Sequence, residues 1–235
     1  MTMESYLGDH KVAIDFIKSC GSHLCLSASP IATGCVLYHR IVRKQLELKE
    51  RDVDIEKYLL ATTCLYLGAK IEEEPQKIRD VINVAHRLLH PDDKALEIGD
   101  DYWKLHDSVT ACELIVLRYL KFQVTFDSPI KYILMFCKSL EDWLPDSNIL
   151  HQSKLPQICW NMVNDLCYLP LVIFYPAEVV AASIVYIALE VTHLKVPEHK
   201  EGKRWFQVLC PGIKENKLKD IGCKILTLYD HIKVK

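Results

Sequence analysis

Apolar positions along the chain recur at helical spacing, and no stretch sustains the two-residue alternation of a half-buried strand, so the pattern predicts an all-α fold. Two stretches are apolar nearly all the way round: Leu59 to Lys70 and, 120 positions later, Val179 to Glu190. Aligned with each other, small residues face small, apolar face apolar, and Tyr66 meets Tyr186, whereas Lys70 meets the opposite charge, Glu190. A helix apolar on every side must be enclosed by other helices, so each stretch is expected at the centre of its own bundle. A second echo sets Ala111 to Leu117 against Gly222 to Leu228 at a separation of 111, and again a charge reverses, Glu113 to Lys224. Insertions collect in loops, which accounts for the change in separation, and two helical domains of about one hundred residues each follow.

Punctuation places the helices. The first, Glu4 to Cys20, carries Val12, Phe16 and Ile17 on one stripe, stops at Gly21, and is expected outside or between the bundles. Ser29-Pro30 supplies a cap and a first-turn proline for a helix from Ile31 to Lys44. Asp52 or Asp54 caps the next, which ends at the Glu74-Pro75 step. Ile78 to Leu89 follows, then a helix begun at Asp100 or Asp101 that carries Glu113. Asp127-Ser128-Pro129 starts a helix reaching Leu144, Leu140 to Lys154 is expected as a linker, and further helices are expected over 155–168, 176–193, 203–209 and 214–232. The domains read as an N-terminal helix, 1–24, a first bundle, 25–126, and a second, 127–235.

Composition narrows the setting. With 29 basic and 31 acidic residues the net charge is -2, which gives no general attraction to phosphate backbones and favours a protein or small-molecule partner over DNA. The ten cysteines are irregularly spaced, without a CxxC pair, and Cys64, Cys112, Cys137, Cys159 and Cys223 lie in apolar helical stretches, so buried reduced thiols are expected. Met1 to His10 lacks the basic-then-apolar order of a signal peptide. Leu169 to Val191 is long enough for a membrane span but contains Pro170, Pro176, Glu178 and Glu190, and reads as a turn plus a buried helix. An intracellular setting, nuclear or cytoplasmic, is expected.

Catalytic motifs are missing from the sequence: it contains no GxSxG, no HExxH and no phosphate-cradling glycine loop. Gly68-Ala69-Lys70 lacks the flanking residues of a P-loop, and Glu190 to His193 is one ExxH where a di-iron bundle requires two. It reads as a solvated helix end, as does the run Glu72-Glu73-Glu74. The stretch Lys195 to Arg204 is broken by Glu198 and Glu201 and reads as a loop. Neither a cofactor nor a metal is expected.

Two tandem five-helix bundles with Tyr66-Leu67-Gly68-Ala69-Lys70-Ile71-Glu72-Glu73 at a central helix end, and Cys112-Glu113-Leu114 leading into Leu120-Lys121-Phe122, resemble the cyclin fold over nearly the whole chain. Ser29 to Arg40 and Arg79 to Val84 resemble the transcription-type branch of that family. The resemblance implies a non-catalytic subunit that forms a heterodimer with a cyclin-dependent kinase, the tenth-numbered one being the candidate. Lys70 and Glu113 match the family's lysine and glutamate that engage the kinase beside its αC helix, and Ile71 and Glu73 belong to the same face. An ammonium and a carboxylate on neighbouring helices can satisfy the unpaired backbone groups of a partner's helix end, and holding αC inward would let the kinase's own Lys-Glu pair form. The first bundle is thereby implied as the main kinase face.

Two other readings bear on this. Lys70 and Glu113 could simply pair with each other, as Glu190 and Lys224 could in the second bundle. General transcription factors of the TFIIB kind also use tandem bundles of this sort, but a DNA-gripping member is expected to be basic and to follow a zinc ribbon. The cell-cycle Met-Arg-x-x-Leu docking patch has no counterpart in Val12 to Ile17 or in Ile31 to Cys35, so substrate docking through it is not expected.

Overall fold

A computed structural model describes residues 3–48, 55–145, 148–199 and 202–233. The described residues contain helices and no strand, and the chain divides into two compact units, Ser5–Phe126 and Asp127–Lys235.

From Ser5 on, the first helix, α1 (Met3–His23), belongs to the first unit. Its buried face includes Ala13, Ile14, Phe16 and Ile17, so of the expected stripe Phe16 and Ile17 are buried and Val12 is exposed. It runs through Gly21 instead of stopping there. A Cβ at Gly21 would sit 2.5 Å from Ile31 Cγ1, so the glycine serves close approach; the left-handed turn comes later, at Cys25, with φ 55. Next, α2 (Ala28–Leu48) takes Ser29 and Pro30 into its first turn, so Ser29 is not the expected cap. The proposed caps Asp52 and Asp54 lie outside the described residues. The helix α3 (Lys57–Ile71) is capped by Glu56, whose carboxylate accepts from the Leu59 N–H at 2.7 Å. It ends before the Glu74-Pro75 step, in a turn with Glu73 left-handed at φ 60. The helices α4 (Ile78–Leu89) and α5 (Asp100–Tyr119) complete the unit, with α3 packed against α2, α4 and α5.

In the second unit, α6 (Pro129–Trp143) starts at the Ser128 cap. The expected linker from Leu140 is instead part of the core: Leu140, Leu144 and Leu150 are buried, and α7 (Asn148–Gln152) lies within it. After α8 (Leu155–Asp165) comes a 3-10 turn at Leu166–Tyr168, then the short α9 (Leu171–Phe174) and the buried α10 (Ala177–Val191). Two further helices, α11 (Trp205–Leu209) and α12 (Glu215–Lys233), close the unit, and α10 packs against α6, α8 and α12. No helix among the described residues is long and apolar enough to cross a membrane.

The first echo extends into atomic detail. Along 61–70 and 181–190 the order of buried, half-buried and exposed positions is the same, with Tyr66 and Tyr186 the half-buried pair. The Thr63 hydroxyl donates to Leu59 O at 2.8 Å and the Ser183 hydroxyl to Val179 O at 2.8 Å. Both helices end in a left-handed residue, Glu73 and His193 (φ 54). The N–H of the next residue closes the turn in each, Glu74 to Ala69 O at 2.9 Å and Leu194 to Leu189 O at 3.1 Å, the arrangement that satisfies orphan carbonyls at a helix end.

The second echo does not survive as aligned. Val109, Cys112 and Val116 are the buried face of α5, and Leu218, Ile221 and Ile225 that of α12, so the two helices match at a separation of 109. Two residues of shift turn a side chain by about 200° around a helix, which moves Lys224 off the position of Glu113. It also leaves Cys223 exposed where a buried thiol was expected; Cys64, Cys112, Cys137 and Cys159 are buried, and all ten cysteines are free.

Candidate functional site

The last turn of α3 is held in place by its crossing with α2. A Cβ on Gly68 would lie 2.7 Å from Pro30 O and 2.9 Å from Gly34 N, and one on Gly34 would lie 3.1 Å from Leu65 Cα. At Gly68 only hydrogen allows this approach, since the obstructing atoms are backbone, and at Gly34 a Cβ would be a tight fit. The glycine of Gly68-Ala69-Lys70 is therefore a packing residue.

The acidic run that follows is not a simple solvated face. Glu72 accepts hydrogen bonds from Ser29 Oγ and Thr33 Oγ1, each at 2.6 Å. Glu74 accepts one from the Ser27 N–H at 3.0 Å and another from the Ser27 hydroxyl. Two carboxylates thus strap the end of α3 to the start of α2, where a negative charge also suits the helix dipole. The Ser27 bonds hold the Glu74 carboxyl below the usual carboxylate range. Between them Glu73 stays exposed, turned out by its left-handed backbone.

Fixed in this way, Lys70 meets Glu113 of α5. The Lys70 ammonium donates to Oε1 at 2.7 Å and to Oε2 at 3.0 Å, and it lies 4.1 Å from the centre of the Tyr66 ring. Burial pulls the ammonium's pKa down, but the bonds to Glu113 and Tyr66 outweigh it and leave the pKa above the ordinary lysine value. The structure thus brings Lys70 and Glu113 together, with Ile71 half-buried at the end of the same helix. The analogous pair in the second unit does not form. Lys224 instead donates to Asp220 at 2.8 Å and to the Tyr175 hydroxyl at 2.7 Å, as its altered phase on α12 requires.

Two apolar side chains of the motif quoted from the sequence, Leu114 and Phe122, are exposed. Leu114, next to Glu113, is 61% exposed, and Phe122, just beyond the end of α5, is 72% exposed. Leu114 was legible in principle, being out of phase with Cys112 and Val116. Phe122 was not, because its exposure follows from the turn that carries it. The pair offers a cation and a carboxylate, groups suited to the unpaired backbone of a partner's helix end. Among the described residues no group of three or more His, Cys, Asp or Glu side chains could hold a metal, and Glu190 and His193 are both exposed.

Comparison with known proteins places the chain in a family. The description "Cyclin, N-terminal domain" matches residues 7–125. Human cyclin-L2 is 32% identical over 227 residues, 95% of this chain and 40% of its own length. Human cyclin-K is 29% identical over 217 residues, 91% of this chain and 35% of its own length, so the chain spans well under half of these relatives. Among solved structures, a chain of the yeast RNA Pol II CTD kinase CTDK-1 complex superposes with a TM-score of 0.72 at 20% identity, covering 97% of this chain and 67% of that one. A chain of the Chaetomium thermophilum CAK complex bound to ATP-gamma-S gives 0.59 at 12% identity, covering 94% and 60%. With this fold and a domain match across half its length, the chain belongs to the cyclin family.

Proposed function

We propose that the chain is an activating regulatory subunit of a cyclin-dependent kinase, contacting it through Lys70, Glu113, Ile71 and Glu73 in the first cyclin box, 25–126, with 127–235 as the second box. The observation that carries this reading is the Lys70–Glu113 pair, preset and partly exposed, with exposed Leu114 next to Glu113 in sequence and exposed Phe122 beyond the end of the same helix. A lysine and a glutamate already held at bonding distance lose little freedom when they turn to a partner's backbone groups, which favours binding. Holding the kinase's αC helix inward converts that binding energy into a shift toward the active kinase. The chain supplies no catalytic group of its own.

Similarity to cyclins L and K, and to chains from a polymerase CTD kinase and a CAK complex, supports a transcription-type kinase partner and nuclear work. The tenth-numbered cyclin-dependent kinase is the partner to test first. Co-expression with that kinase should give a co-eluting heterodimer with phosphotransfer activity, lost in a helical Lys70→Ala, Glu113→Ala variant. A folded chain that neither binds nor activates any of a panel of related kinases would sink the reading and leave the TFIIB-like alternative, tested by DNA retention at low salt.

A further inference from the structure

The turn after α5 carries two consecutive left-handed residues that are not glycine, Lys121 at φ 51 and Phe122 at φ 59. A single glycine commonly ends a helix in this region, whereas side chains with a Cβ meet steric strain there. Phe122 is also largely exposed, so burial of its own ring does not hold it in place. Other groups must over-determine the conformation.

Within the turn, the Phe122 N–H donates to Leu117 O at 2.9 Å and the Gln123 N–H to Leu120 O at 2.9 Å. The remaining restraint comes from another helix. Arg40 of α2 donates from Nη1 to Gln123 O at 3.0 Å and from Nη2 to Thr125 O at 3.1 Å. A guanidinium is a rigid fork of donors, so two carbonyls two residues apart are fixed by one side chain, and the chain directly after Phe122 is tied to α2. From Glu113 to the end of α5 is roughly 9 Å at 1.5 Å per residue, well inside a binding face of about 800 Å² per partner.

We infer that Arg40 is a positioning residue: by gripping the carbonyls of Gln123 and Thr125 it holds the strained turn that presents Phe122 outward as an aromatic anchor for the kinase, just beyond the end of the helix that carries Glu113. This rests on the kinase-subunit reading and adds to it a residue that never touches the partner.

The test compares wild type, Arg40→Ala, Arg40→Lys, Phe122→Ala and the Arg40→Ala, Phe122→Ala double variant. Affinity for the purified tenth-numbered cyclin-dependent kinase is measured for each, with amide hydrogen exchange on the free chains. Arg40→Ala should speed exchange at the Phe122 and Gln123 amides in the free chain while the α3 amides keep their protection. It should weaken kinase binding about tenfold, the scale of an interface anchor, and Phe122→Ala should weaken it at least as much. The double variant should be no weaker than Phe122→Ala alone, since Arg40 acts only through the ring. Arg40→Lys, a point charge in place of a fork, should fall between, and it carries the same comparison if Arg40→Ala does not fold. Unchanged exchange at those two amides, or an undiminished Arg40 effect in the Phe122→Ala background, would overturn the inference. Absence of kinase binding by the wild-type chain would overturn the functional reading instead, and the exchange data would still decide whether Arg40 holds the turn.

Discussion

Lys70 on α3 and Glu113 on α5 are bonded to each other, the ammonium reaching both carboxylate oxygens at 2.7 and 3.0 Å. The pair joins two helices of the first bundle, and under the proposed function it also engages a partner. Exposed or half-exposed pairs contribute about 0 to 1 kcal/mol to stability, with side-chain exposures here of 38% and 16%. Charge exchange separates the two roles. Lys70→Glu combined with Glu113→Lys restores an intramolecular pair, so its melting temperature should stay close to wild type, but it presents the wrong charge to each backbone group of a kinase. Kinase affinity should therefore remain at the level of the single variants. Recovery of binding in the exchanged variant would show that the pair is structural only.

The α2–α3 crossing makes a second prediction. Gly68→Ala sets a methyl group 2.7 Å from Pro30 O and must push the helices apart, at a cost of about 1 to 3 kcal/mol typical of overpacking. Thermal unfolding should show it. Gly8→Ala serves as the control: nothing lies within 4 Å of its would-be Cβ, and alanine in a helix interior should stabilise by about 0.5 to 1 kcal/mol.

Acid should loosen the strap between α3 and α2. The Glu74 pKa is depressed in the folded chain by its Ser27 bonds, so these bonds stabilise the fold above the unfolded glutamate pKa, and that contribution is lost as pH falls through the folded value. Ser27→Ala removes the hydroxyl bond but keeps the backbone N–H. The Glu74 pKa, followed by carboxyl NMR, should then rise part of the way toward the ordinary glutamate value. No movement would mean that the hydroxyl bond is not formed in solution.

Thiol reactivity should sort by burial. Cys25 and Cys223 are exposed and should react with a maleimide in the native state. Cys20 and Cys210 are buried, with burial pushing each thiol up to about 12, and they should react only after unfolding. Peptide mapping of the labelled chain checks the order. Protection of Cys223 would restore the separation of 111 for the second echo.

Much of this protein was legible before any coordinate, because it depended on local and periodic signals. A stretch apolar on all sides can only be a central helix, and α3 and α10 are central in their units. The span of α4 and the Ser128 start of α6 followed from prolines and a hydroxyl at fixed positions. Less legible were the features that depend on a neighbour distant in sequence. Gly21 looked like a helix stop because only Ile31, brought close by the fold, shows why a glycine is needed within the helix. Glu72 and Glu74 looked solvated because Ser27, Ser29 and Thr33 reach them only when α2 and α3 cross.

By itself, then, the sequence determined the helical class and the echo of one central helix in the other, since hydrophobic period is a property of the chain. Tertiary structure decided which charges meet. Lys70 finds Glu113 because α3 and α5 pack with both side chains on one face, whereas Lys224, two residues out of phase on α12, turns to Asp220 and Tyr175. Pairing depends on rotation about a helix axis, and that rotation is set by which side chains the core accepts.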